Sequence, residues 1–343
     1  MTVKTSVIGA GAMGRVHLRS LKQVADADVV AVVDPLEAAA QSALAEAELE
    51  TAVFTDVPAM LESVRPEYVI VASPPRYHAE HTLAAFYADA HVLCEKPLAM
   101  SVDEAQAIEA GAGETGRLFT MGFQMRQEGS KRALRRFVAD GGLGEIYHSR
   151  VWGGHIMAYP WGRFHHRKEE SLGGVMAATV VHPLDALYWI LGAPEPVTVS
   201  ASYFRRLDRM PSPPIHFEGT PADVTVEDFA HAHVRFADDS SMSVEGNWLF
   251  HPRRQHGFEI NGVLGIVQDV EPYVELENGE EVFAHDLELG EEPADRTVAE
   301  HEEFVAAIRG EGAPIVSLRE AVGVQRILCG IYESAELGKE VMV

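Results

Sequence analysis

Residues 3–34 restrict the fold more than any other stretch of this chain. VKTSVI at 3–8 reads as a buried strand, and GAGAMG follows with Gly9, Gly11 and Gly14 in GxGxxG spacing. RVHLRSLKQV then carries helical periodicity, and a second apolar strand, VVAVV, ends at Asp34, 20 residues beyond Gly14. Strand, glycines, helix, strand and terminal acid in this order make a βαβ unit suited to a dinucleotide. Gly9 allows the tight turn, Gly11 lets the backbone approach a pyrophosphate, and Gly14 lets helix and strand pack closely. Ala12 and Met13 begin the helix, whose N-terminus faces the phosphates. Asp34 is placed to accept hydrogen bonds from the adenosine ribose and to repel a 2′-phosphate. No Arg or Lys follows in PLEAAA to reverse that preference, so the pattern favours NAD over NADP.

The alternation continues. DVPAMLESV reads as a short helix capped by Asp56, and YVIVA as a strand leading into the turn Ser73-Pro74-Pro75. YHAEHTLAAFYADA is a helix, and HVLCE a strand leading into Glu95-Lys96-Pro97. SVDEAQAIEAGA opens on a capping box, Ser101 with Glu104. RLFTMGF is a further strand. Repeated strand–helix alternation specifies a parallel, doubly wound sheet. Ligands of such sheets bind at the carboxyl ends of the strands, where the glycine loop, Asp34 and both of these turns fall. Lys96 stands out there, because the chain has only six lysines against 22 arginines.

At 343 residues the chain exceeds one ordinary core, and the pattern changes near residue 125. The expected division is 1–124 and 125–343. In the second part KRALRRFVADGGLG reads as a helix closed by glycines, and IYHSRVWGG as a strand. FAHAHVRF, SMSVEGNWLF and FEINGV alternate at period two, as in a sheet with one covered face. LDRMPSPPIHFEGTP reads as a surface loop. Segments 301–310 and 318–337 read as amphipathic helices.

The formal net charge is −24, from 52 Asp and Glu against 28 Lys and Arg. Such a surface repels nucleic acid and anionic membranes. It fits a soluble acidic enzyme from a GC-rich genome, or one adapted to high salt, where like charges are screened. A hydrophobic fraction of 47% excludes disorder. No apolar run is long enough to span a bilayer. The first apolar residues interleave with glycines and run into Arg15 and His17, so no signal peptide is expected. Cys94 and Cys329 lack CxxC spacing and fit a reducing cytoplasm. The 16 histidines make no expected metal site. His165 and His166 are adjacent, and His231 and His233 share a strand face with no carboxylate or cysteine to complete a ligand set.

In GAGAMG, SPPRYHAE, HVLCEKPLAMS and MGFQMR the chain resembles the glucose-fructose oxidoreductase/inositol dehydrogenase (Gfo/Idh/MocA) family. The resemblance resumes at GGLGEI and LGGVMAATVVHPLD, and returns in HEEFVAAIRG and IYESAELGKEV, so it covers essentially the whole chain. It implies an α/β protein: an N-terminal Rossmann domain, then an α/β substrate domain with an open, mostly antiparallel sheet. The exposed sheet face would serve homo-oligomerisation, as a dimer or tetramer. The resemblance also implies that Lys96 touches both substrate and nicotinamide, that the Lys96–Pro97 bond is cis, and that His182 is catalytic. Cofactor contacts are expected from Gly9, Gly11, Ala12, Met13, Gly14, Asp34, Ser73, Pro74, Pro75, His78, Glu95, Lys96, Gln124, Trp161 and Arg163. Substrate contacts are expected from Lys96, Met125, Arg126, His155, His182 and Asp185.

GGVMAATVVHPLD, 173–185, reads as a helix running on to Leu191 and stopped by Gly192. On it His182 shares a face with Ala178 and Asp185, and the small residues at 177–179 leave space beside it. A lone histidine on an apolar helix is ordinarily a core residue; the resemblance makes this one a general base. The family usually carries an aspartate where this chain has Ala178. Asp185 or another residue then orients the imidazole, or Lys96 bears more of the proton transfer, or the chain is not a competent dehydrogenase. The leading reading is an NAD-dependent oxidoreductase moving hydride between nicotinamide and a secondary alcohol of a sugar, cyclitol or related polyol. His182 would accept the hydroxyl proton. Lys96 would stabilise the alkoxide, its pKa depressed by the cationic nicotinamide. The alternatives are a redox-neutral enzyme of the NAD-dependent glycosidase type and a non-catalytic NAD-binding regulatory protein.

Overall fold

The computed structural model describes residues 2–154, 164–210, 223–249, 256–268 and 291–343, with the backbone alone at 208, 273–278 and 281–286. The chain divides into two units, Met1–Gln127 with Pro293–Val322, and Glu128–Glu292 with Gly323–Val343.

The first unit alternates strictly: β1 (Val3–Ile8), α1 (Ala12–Leu21), β2 (Ala27–Val33), α2 (Glu37–Ala47), β3 (Ala52–Phe54), α3 (Val57–Val64), β4 (Tyr68–Val71), α4 (His78–Tyr87), β5 (His91–Cys94), α5 (Val102–Thr115) and β6 (Phe119–Met121). All neighbouring strands pair in parallel, in the order β3-β2-β1-β4-β5-β6. That is the doubly wound order whose crevice opens at the carboxyl ends of the strands. β4 is buried at every position, as a strand covered on both faces must be. Asp56 caps α3, its Oδ1 accepting the Ala59 N–H at 2.9 Å. At α5, Ser101 Oγ accepts the Glu104 N–H at 3.1 Å. The returning Glu104 carboxylate takes the Met100 N–H at 2.8 Å, one residue ahead of the cap.

The second unit holds α6 (Gly129–Ala139), β7 (Ile146–Gly153), α7 (Lys168–Ser171), a π-helical turn (Met176–Val180), α8 (Val181–Ile190), β8 (Pro196–Phe204), β9 (Phe229–Phe236), β10 (Ser241–Asn247), β11 (Gly257–Gly262), β12 (Gly265–Gln268), β13 (Tyr273–Asn278) and β14 (Glu281–Asp286). α9 (Arg296–Ile308) belongs to the first unit, α10 (Leu318–Leu337) begins there and ends in the second, and β15 (Val341–Met342) closes the chain. The sheet order is β14-β13-β12-β11-β7-β10-β9-β8-β15. Among the described strands of this sheet only β7 and β10 pair in parallel; the other pairs are antiparallel. Burial alternates along β9 and β10, so one face is covered and the other open.

Residues 293–322 group with the first unit and 323–343 with the second. Phe304, Val305 and Ala307 of α9 join the core formed by Leu18, Leu21, Val32 and Ile70. An amphipathic pattern says that a helix must bury one face, but not against which domain.

Candidate active site

The three glycines of the loop have three different surroundings. Gly9 has φ +98°, and a Cβ there would lie 2.5 Å from the Ala72 carbonyl oxygen. A Cβ on Gly14 would lie 1.9 Å from the Gly9 oxygen, so only glycine lets α1 start so close to β1. At Gly11 a Cβ would meet nothing within 4 Å, which leaves the backbone open to a ligand. α1 has neither a side-chain cap nor an acidic residue in its first turn. Its first N–H groups and its dipole are therefore directed at an anion site. Asp34 follows β2, with Oδ2 accepting the Ala10 N–H and Oδ1 the Leu36 N–H, each at 2.9 Å. These bonds pin a negative charge beside the loop, and a carboxylate keeps further lone pairs for ribose hydroxyls. Together these residues fit a dinucleotide carrying a free 2′-hydroxyl.

Two turns lie at the neighbouring strand ends. His78, the first residue of α4, is buried and joins them. Its Nδ1 lies 2.7 Å from the Pro97 oxygen and its Nε2 2.8 Å from the Ser73 oxygen. Burial holds its pKa below the usual imidazole value, and the two carbonyls oppose that shift. Ser73 Oγ lies 3.0 Å from His81 Nδ1. Pro74 leads into a 3₁₀ turn that begins at Pro75. The Lys96–Pro97 bond is cis. Lys96 itself is half-buried. Burial lowers its pKa and the adjacent Glu95 carboxylate opposes this, so the depression is already present without a cationic nicotinamide. Gln124 and Met125 begin a 3₁₀ turn and are half-buried. Arg126 is fully buried and donates to the Ile315 oxygen at 3.0 Å and to Glu320 Oε2 at 2.8 Å, which ties β6's extension to the start of α10.

In the second unit every residue from Ser171 to Ile190 is buried except Ala178, Thr179 and His182. The π turn and α8 form a plug in the unit's core that is open only on this face. π turns of this kind recur at functional sites. Glycines explain how the plug is seated. A Cβ on Gly173 would lie 1.8 Å from Tyr332 Oη, and one on Gly174 2.0 Å from the Glu227 oxygen. The Glu227 carboxylate accepts the Gly174 N–H at 2.7 Å, the Met176 N–H at 3.0 Å and the Tyr332 O–H at 3.0 Å. Tyr332 Oη in turn accepts the Ala177 N–H at 3.2 Å. Burial raises the Glu227 pKa, against the pull of these donors. Thr179 Oγ1 accepts the Trp248 indole N–H at 2.8 Å.

Thus Ala178 and His182 do share the open face, in company with Thr179, whereas Asp185 is fully buried. Expectations for His155, Trp161 and Arg163 lie outside the described residues. Sequence reasoning overlooked Trp248, Glu227 and Tyr332, and took Thr179 only as a small residue. The Gly173–Gly174 pair was the available signal for a close approach, while nothing local points to a tryptophan 69 positions away. Among the described residues no group of three or more His, Cys, Asp or Glu side chains could hold a metal ion. No helix there is long and apolar enough to cross a membrane.

A dinucleotide cradle at the carboxyl edge of a parallel sheet, in a chain with a second domain built on an open mixed sheet, is a plan of nucleotide-dependent oxidoreductases. Residues 3–123 match an oxidoreductase family model with an NAD-binding Rossmann fold. Residues 132–268 match the GFO/IDH/MocA C-terminal domain. The chain is 30% identical over 344 residues to D-glucoside 3-dehydrogenase of Escherichia coli (strain K12), covering 99% of this chain and 97% of that one. It is 31% identical over 257 residues to inositol 2-dehydrogenase 3 of Saccharopolyspora erythraea, covering 72% and 71% of the two. The crystal structure of an oxidoreductase domain protein from Kribbella flavida shares the fold, with a TM-score of 0.87, 22% identity and 100% coverage of both chains. This chain belongs to the Gfo/Idh/MocA family, and it is an NAD-dependent oxidoreductase.

Proposed function

We propose that the substrate is a sugar, cyclitol or related polyol, and that a secondary hydroxyl on its ring is oxidised, or the matching ketone reduced. Two relatives support this class, because both names, D-glucoside 3-dehydrogenase and inositol 2-dehydrogenase, place the reaction at a ring alcohol. The observation that carries the reading is the single open face of the buried 171–190 segment, with His182 beside two small side chains. His182 takes the hydroxyl proton, and the Lys96 ammonium steadies the negative charge that develops on that oxygen. NAD, when bound, accepts the hydride leaving the same carbon. Ala178 and the Thr179 hydroxyl shape the pocket wall. Alanine at 178 is smaller than an aspartate there would be, and the name of one relative, D-glucoside 3-dehydrogenase, favours a glycoside over a bare cyclitol. In this reading Asp34 selects NAD by excluding a 2′-phosphate.

The same proposal makes the protein a cytoplasmic homo-oligomer. The open face of the nine-stranded sheet, carrying His231, His233 and Arg235 on β9, supports the second point. Two widely separated cysteines, Cys94 and Cys329, with no CxxC spacing, support the first. Formation of NADH, followed by absorbance across methyl glucosides, free hexoses and inositols, tests the substrate class. Turnover is expected with at least one glycoside. Tight NAD binding with no turnover of any member overturns the reading.

A further inference from the structure

Behind the Lys96 turn a file of buried polar side chains crosses the first unit. Glu95 Oε1 lies 3.0 Å from His17 Nε2, His17 Nδ1 lies 3.0 Å from His301 Nε2, and His301 Nδ1 lies 2.8 Å from the Tyr68 hydroxyl. His17, Tyr68 and His301 are 0% exposed and Glu95 is 4% exposed. They come from four separate places: the end of β5, the middle of α1, the start of β4 and α9. Glu95 Oε2 accepts the Lys96 N–H at 3.2 Å. A Cβ on Gly122 would stand 2.9 Å from Glu95 Oε1, so that glycine makes room for the carboxylate.

The donor order follows from the chemistry of the groups. Both Glu95 oxygens face donors, as an ionised, acceptor-only carboxylate requires. His17 therefore carries a proton on Nε2. Burial drives the His301 pKa well below the usual imidazole value and lifts the Tyr68 pKa well above the usual phenol value, Glu300 adding to the latter. When His17 Nδ1 accepts, every bond points one way: Tyr68 O–H to His301, His301 Nε2–H to His17, His17 Nε2–H to Glu95. No member is left over, and each bond fixes the tautomer of the next.

We propose that His17, His301 and Tyr68 are positioning residues for the reaction: they hold the Glu95 carboxylate ionised and aimed at the turn that carries Lys96. This rests on the Lys96 ammonium steadying the developing negative charge, as proposed above. The titratable or charged groups facing the file are Lys96 and His78 beside Glu95, the Cys94 thiol before it, and Glu300 beside Tyr68. Glu95 raises the Lys96 pKa against burial. Loosening Glu95 must therefore lower that pKa, and a reaction that needs the Lys96 ammonium must fail at lower pH.

The test is the pH profile of kcat/KM in the full chain, with NAD affinity and Tm measured in parallel. His17→Leu should move the alkaline limb down by about one pH unit, in keeping with the loss of one nearby opposite charge. His17→Gln, whose amide can reach Glu95 from the same side, should restore most of the limb. Tyr68→Phe removes only the hydroxyl, keeps the ring packed against Phe304, and should shift the limb in the same direction by less. It also carries the test if His17→Leu does not fold. A folded, NAD-binding His17→Leu or Tyr68→Phe variant with an unmoved alkaline limb overturns the relay. Lys96→Met separates the two claims. If it is inactive while the limb stays fixed in the relay variants, the relay alone falls. If it retains full activity, the catalytic reading of Lys96 falls, and the relay with it.

Discussion

Gly246→Ala probes the seat of the His182 helix. Gly246 of β10 and Gly153 of β7 are register partners, and neither has a positive φ, so alanine is conformationally allowed at both. The difference lies in what a new methyl meets. At 246 it would stand 2.9 Å from a Val180 methyl and 3.0 Å from both Val175 methyls; at 153 the closest approach is 3.2 Å to Val180, then 3.5 Å to Pro183. Carbon pairs are comfortable at about 3.5–4.0 Å. Overpacking costs about 1–3 kcal/mol. Replacing glycine returns about 0.4–1 kcal/mol through the unfolded chain. The net is about 1–2 kcal/mol of destabilisation at 246 and close to zero at 153. For a domain of this size that lowers Tm by roughly 2–8 °C at 246. Relief must come from the valines on either side of Thr179, so the open face moves. If a misplacement of about 1 Å can cost about 10²-fold, a few tenths of an ångström should lower kcat by about 3–10-fold. Calorimetry, kcat at saturating NAD and NAD titration measure the three quantities. Equal Tm values for the two variants would refute the packing argument. A loss of NAD affinity in step with kcat would show that the lesion is not local to the helix.

Asp34→Ser should narrow the preference for NAD over NADP, read as the ratio of the two kcat/KM values; an unaltered protein that already uses NADP equally well contradicts the role given to Asp34. His182→Ala should lower kcat by about 10²–10⁴-fold with NAD affinity nearly unchanged. Combined with Lys96→Met, it should cost far less than the product of the single effects, because groups acting on one step are not additive. A fully multiplicative double variant would assign them to separate steps. With a net charge of −24, Tm should rise from dilute buffer to molar KCl as self-repulsion is screened; a flat or falling Tm leaves only the composition of an ordinary acidic enzyme.

What the sequence disclosed tracks how local the cause was. The βαβ start, Asp34 and the caps at Asp56 and Ser101 depend on neighbours a few positions away, and all could be read directly. α10 was placed at its true ends, and α9 was recognised as amphipathic. The partner of α9 was not legible, because Leu18 and Leu21 lie nearly 300 positions earlier and no pattern in either segment names the other. His182 was singled out by its contrast with an apolar run, but the run hid a π turn. Helical periodicity alone predicted a common face for Ala178, His182 and Asp185, and burial removed Asp185 from it. Glu227 and Tyr332 escaped notice because a buried carboxylate that caps a distant helix looks, in sequence, like any acid in VEDF. His17 was read as an interruption in the apolar N-terminus, and its partners His301 and Tyr68 are brought to it only by the fold.

The return of residues 293–322 to the first unit has a consequence for synthesis. A ribosome has made all of β1 to β6 by residue 121, yet α9, which covers Leu18 and Leu21 and supplies His301 to His17, is still to come. Translating the 165 intervening residues, 128–292, takes roughly 8–33 s at about 5–20 residues per second. During that interval the nascent dinucleotide-binding domain displays an uncovered apolar stripe and an unfilled polar slot. It must wait, shielded by chaperones or loosely folded, while the whole of the second sheet emerges. An N-terminal fragment ending near residue 127 is held in that waiting state permanently, and it should be recovered as aggregate unless a peptide spanning 293–322 is supplied with it.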